Sequence, residues 1–184
     1  MTSILKADRV QSTSNGFVLP PAGGIIQIQY SQKTTNGSIT VSATTHTKFA
    51  DSDLAVSITP ISTSSVIKIE GTLFGEFDQD ENTYNHVVSF YRDNTRLGRS
   101  DDGNRPGGVG MLPRTYDVSD QASTPETGTI IFYDTPSTTS AVTYTFGLYT
   151  RAAGTYHINR TVVDSDHTYS ERAVSSISVM EIAG

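Results

Sequence analysis

LAVSITPISTSSVIKIEGTLFGEF, residues Leu54 to Phe77, decides the fold. Leu54, Val56, Ile58 and Pro60 alternate with small or polar residues, and Ile67, Ile69 and Leu73 alternate with Lys68, Glu70 and Thr72. That period of two describes two β-strands, each with one buried face. Between them, the side chains of Ser62-Thr63-Ser64-Ser65 compete with a regular ladder for backbone hydrogen bonds, so the chain turns there. The stretch predicts a hairpin-like strand pair as the nucleus of an all-β domain, and no catalytic motif falls within it.

Upstream, Ile26, Ile28 and Tyr30 alternate cleanly, then Asn36-Gly37 signals a turn before Ile39, Val41 and Ala43. The domain proper is therefore placed at residues 25–184. Residues 1–24 have weak periodicity and close on Pro20-Pro21-Ala22-Gly23-Gly24, which breaks regular structure. They read as an N-terminal arm, either frayed or an attachment segment docking on a neighbour. Downstream of Phe77 comes an acidic turn, then Val87, Ser89 and Tyr91 alternating with Val88 and Phe90. Large groups on both faces suit an interior strand, or one whose outer face meets another subunit.

From Leu97 to Gly128 the pattern dissolves into LGRSDDGNRPGGVGMLPRTYDVSDQASTPETG, a long decorated loop interrupted at most by a short strand at Thr115–Val118. Regularity returns at Thr129–Tyr133, Val142–Tyr149, Tyr156–Val163 and Val174–Ile182. Strands at a spacing of roughly 8–12 residues, about eight or nine in all, predict a two-sheet antiparallel β-sandwich of jelly-roll type.

Ser and Thr make up about a quarter of the 184 residues, and abundant β-branched residues favour pleated surfaces over helices. A net charge of -6 argues against sequence-independent nucleic-acid binding, which needs a basic face. With no cysteine, packing or oligomerisation must supply the stability. The start Met1-Thr2-Ser3-Ile4-Leu5-Lys6 lacks a secretory pattern, and no apolar run approaches membrane-spanning length. The chain is therefore expected to be made in a cytoplasm, without membrane insertion.

Hydrolase, metalloprotease and nucleotide-binding motifs are absent, and no cofactor is expected. Asp78, Asp80 and Asn82 resemble the opening of a calcium loop, but Thr83 and Ser89 stand where Gly and Glu are needed. His46, His86, His157 and His167 lack ligand spacing, although one histidine per subunit can build a site on a three-fold axis. Asp164, Asp166 and Glu171 supply carboxylates of the type glycosidases use, yet they sit in what reads as a polar turn. An enzyme is not expected. Arg92, Arg96, Arg99, Arg105 and Arg114 concentrate positive charge around the long loop of an acidic chain. With Phe90 and Tyr91 they form the candidate interface or recognition residues, since arginines and aromatics are enriched at interfaces.

Several segments together resemble a family of small virion proteins of tailed bacteriophages, especially phages of aquatic bacteria, of the tail-fibre or receptor-binding-like type. They are Gly24-Ile25-Ile26-Gln27-Ile28-Gln29, Leu54-Ala55-Val56-Ser57-Ile58-Thr59-Pro60, Tyr91-Arg92-Asp93-Asn94-Thr95, Tyr133-Asp134-Thr135-Pro136, Thr143-Tyr144, Ile158-Asn159-Arg160, and Ser175-Ser176-Ile177-Ser178-Val179-Met180-Glu181-Ile182-Ala183. The resemblance implies a homotrimeric sandwich on a virion that meets other virion proteins through its arm and a polysaccharide or protein on the host surface. A capsid decoration or head-fibre protein is the alternative within the same class. The long loop departs from the family pattern.

Overall fold

The structure is a computed structural model, and the residues it describes are 20–78, 86–112 and 123–184. Among these, twelve strands and no helix are present: β1 (Ile25–Lys33), β2 (Gly37–Val41), β3 (Thr47–Lys48), β4 (Ala55–Ile58), β5 (Val66–Phe77), β6 (His86–Arg92), β7 (Thr95–Leu97), β8 (Gly110–Leu112), β9 (Glu126–Asp134), β10 (Val142–Tyr149), β11 (Gly154–Ile158) and β12 (Ser175–Ile182). The excess over eight or nine comes from β3, β7 and β8, which at two or three residues are too short to show a period.

Two six-stranded antiparallel sheets face each other, as expected of a sandwich. In the first, the order β1-β12-β5-β11-β2 is joined by β9 on the other side of β5. In the second, β10 and β6 are central, flanked by β3 and β4 on one side and by β7 and β8 on the other. β5 sends Ile67, Ile69 and Leu73 inward to meet Val88, Phe90, Tyr144, Phe146 and Leu148 from the second sheet. At the centre of this contact Gly71 makes room for rings: a Cβ there would lie 2.3 Å from Phe146 and 3.0 Å from Phe90.

β4 and β5 are not a hairpin. β4 pairs with β10 and β5 with β12, so the Ser/Thr turn carries the chain from one sheet to the other. The period-two reading locates both strands but is blind to which neighbour each takes. The crossing is pinned by the fully buried Glu181, which accepts the Ile61 N–H at 2.7 Å and the Gln27 amide at 2.6 Å. A second polar link joins the sheets where Asp134 of β9 accepts Arg92 Nη1 of β6 at 2.8 Å and the Tyr144 hydroxyl of β10 at 2.7 Å. Burial, followed by the hydrogen bond to Asp134, pushes the Tyr144 hydroxyl pKa far up.

The strand expected over Tyr156–Val163 ends at Ile158, because Asn159 takes a left-handed conformation (φ 64°) and turns its amide onto the carbonyls of Lys33 and Thr35. The last residues of the expected arm are already part of the domain, since Gly23 donates to Ala183 O at 2.7 Å and Ala183 donates back to Gly24 O at 2.8 Å. Residues 1–19 of that arm lie outside the described residues.

Candidate recognition loop

The region expected to be one long loop, 97–128, holds two pieces of sheet. β8 pairs with β6 through Val88↔Gly110 to His86↔Leu112, and β9 begins at Glu126. Arg114 and the strand expected at 115–118 fall outside the described residues. The segment from Gly98 to Val109 is folded down onto the outer face of β6. Gly108 passes so close that a Cβ would meet Val88 O at 2.4 Å and Val87 at 2.5 Å, and Val109 donates to Val88 O at 2.8 Å.

One carboxylate organises the segment. Asp101 Oδ1 accepts the Gly107 N–H at 2.8 Å and Arg96 Nη2 at 3.0 Å, and lies 3.1 Å from His46 Nε2. Arg96 Nη1 closes the ring on Gly107 O at 2.7 Å. The Gly107 N–H, then His46 and the Arg96 charge, hold the Asp101 carboxyl below its usual range. Burial, with a smaller push from Arg96, lowers His46 below its ordinary value although Asp101 opposes it. At the tip, Arg105 pairs with Asp102 at 2.8 Å and both are exposed.

Beside this ring a shallow cleft of about 340 Å³ is lined by Thr44, Asp101, Gly103, Asn104, Pro106 and Tyr149. The Tyr149 ring packs against His46 at 4.9 Å. An aromatic wall with amide, hydroxyl and carboxylate groups suits a polar ligand that offers a flat apolar face and hydroxyls.

The candidate residues divide by place. Phe90 is fully buried between the sheets and Tyr91 is 8% exposed, its ring lying over Gly147 and its hydroxyl donating to His46 O at 3.3 Å. Of the two readings of that strand, the interior one describes it within this chain: Phe90 points into the core, and Tyr91, on the opposite face, is covered rather than exposed. Arg92 is spent on Asp134 and Arg96 on Asp101, whereas Arg99 and Arg105 are exposed on the loop. Thr44 and Tyr149, which complete the cleft, were not singled out for it because they lie about a hundred residues apart and are brought together by the β3–β10 pairing and the bond from Thr44 N–H to Thr150 O.

Asp78 is occupied by the Thr155 N–H, and Asp80 and Asn82 are outside the described residues. Among the described residues no group of three or more His, Cys, Asp or Glu is placed to hold a metal ion. Asp164, of the suspected carboxylates, is engaged by Arg172 at 2.7 Å on an exposed turn.

Fold and site together define an antiparallel β-sandwich carrying an ordered loop over one outer face. No protein-family model matches the sequence, and no curated protein does. Among solved structures, similarity is found to the crystal structure of the infectious bursal disease virus VP2 subviral particle, at 10% identity and a TM-score of 0.37, covering 97% of this chain and 46% of that one. The structure of the Gx strain of the same virus gives 12% identity and a TM-score of 0.34, covering 100% and 47%. This chain thus spans about half the length of the solved structures it matches. A likeness of that size assigns no function.

Proposed function

We propose that the chain is a non-enzymatic virion structural protein, a small trimeric fibre or receptor-binding-like component of a phage tail, with the loop over β6 as its recognition element. The observation that carries this reading is the fixing of that loop by Asp101, Arg96 and His46. A loop held in one conformation before it meets its partner loses little ordering entropy on binding, so Asn104, Arg105 and the Tyr149 wall are presented ready for a host-surface polysaccharide or protein. The segmental resemblance to tail-fibre-like proteins supports the virion part. A decoration or head-fibre role has its own support in the fixed point at Gly23 and Gly24, the end of the expected attachment arm that the domain holds.

The test is competition: purified protein added to host cells should block adsorption of the particles that carry it. Asn104→Ala combined with Tyr149→Ala should weaken that block at least tenfold while leaving the β-type circular dichroism intact. Wild-type protein that neither binds cells nor competes overturns the recognition reading, and release of reducing sugar from the host polysaccharide overturns the non-enzymatic one.

A further inference from the structure

β1 is built the wrong way round for a strand that serves only its own core. Its apolar alternation, which reads from sequence as a buried face, points outward: Ile28 is 51% and Tyr30 80% exposed, while Gln27 on the other face turns inward to Glu181. Ladder register shows what shares that outer face, because residues directly opposite in a sheet stand on the same side. One row runs Ile28, Met180, Lys68, Tyr133, and the next Tyr30, Ser178, Glu70, Ile131. Ile25, Ile182 and Val66 form the row before them. Five of the ten exposed large apolar side chains among the described residues therefore gather on this one face.

We infer that the outer face of β1-β12-β5-β9 is the surface through which copies of this chain pack against one another. This rests on the self-assembling part of the reading above and names its interface. The partner is identified by charge. Lys68 and Glu70, adjacent on the central strand and paired at 2.8 Å, are the charged residues of these rows. The face is thus neutral on a chain of net charge -6, and here two acidic copies repel each other least. A face bearing one cation beside one anion also complements itself: Lys68 of one copy meets Glu70 of the next about either a two-fold or a three-fold axis.

Size agrees. Four strands by eight residues measure roughly 19 Å by 27 Å, on the order of 500 Å² in projection. With side chains standing on it, such a face approaches the about 800 Å² per partner of a standard interface.

The test is the mass of the full chain in solution by size exclusion with light scattering. Wild type should run at a multiple of 19.8 kDa, and Tyr30→Glu and Ile131→Lys should each drop it to one chain, with unchanged circular dichroism because both sites are open. Met111→Lys, at an exposed apolar site on the other sheet, should leave the assembly intact. A monomeric wild type at about 100 μM, or an oligomer indifferent to both substitutions, overturns the inference. A dimer keeps the interface and removes the trimer from the proposed function. A wild type that blocks adsorption yet runs as a single chain leaves the recognition reading standing without this one.

Discussion

Gly71 is the position where one added carbon costs most. Its neighbours Phe146 and Phe90 are fully buried, so neither ring can swing into solvent to admit a methyl group. Gly71→Ala should destabilise the chain by about 1–3 kcal/mol as an overpacked core does, lowering the thermal midpoint by a few to about 10 °C. An unchanged midpoint would mean that the two sheets separate locally at little cost. This glycine was visible in the sequence, but its purpose was not, since the rings it admits come from strands about twenty and seventy-five residues later in the chain. Titration acts at the same scale. His46 and His157 are both held below the ordinary 6.5, first by burial and then by Arg96 and Arg160 respectively, against the opposing pull of Asp101 for one and of Asp78 and Asp164 for the other. Between 6.5 and those lower values the unfolded chain binds more protons, so acidification through that window favours unfolding. The thermal midpoint should fall as pH goes from 7 to 5, and His46→Gln with His157→Gln should flatten the fall.

At the scale of elements, alternation located β1, β2, β4, β5, β6, β10 and β12, because a half-buried strand writes its period into the chain. It did not say which face of β1 was inward, as the same period describes a strand buried by its own core and one awaiting a neighbour. Nor did it separate a hairpin from a crossing at Ser62–Ser65, where the same turn residues serve both. The long Gly- and Asp-rich segment concealed β8 for a different reason: its order comes from Asp101, Arg96 and His46 meeting in space, and composition has no record of that. These contacts divide the loop into a tip and a root. Replacing 102–106 with a Gly/Ser linker, which keeps Asp101 and its contacts, should weaken binding to host cells and cost little stability, since loop length enters closure entropy only logarithmically. Extending the replacement to residue 111 removes Gly110 and Met111 of β8 and uncovers Val87, so the midpoint should drop well below that of the shorter variant. Equal midpoints for the two would contradict the packed root.

The whole molecule presents two outer faces of opposite character. The second sheet is capped by its loop, polar and pre-ordered, while the first is apolar, neutral and open. That division is what the proposed self-association and recognition both require, one face for each. Charge exchange offers a check on the assembled state: Lys68→Glu and Glu70→Lys should each weaken association, and the double exchange in one chain should restore it about either axis. If the double exchange restores nothing, these two residues do not meet across copies. The central claim, that the protein is a structural part of a virion, is tested most directly by gold labelling of purified particles with an antibody raised against this chain, viewed by electron microscopy. The account predicts label at the tail, at the end that meets the host. Label on the head would transfer the role to capsid decoration, and particles bearing no label while the lysate holds abundant protein would contradict the claim.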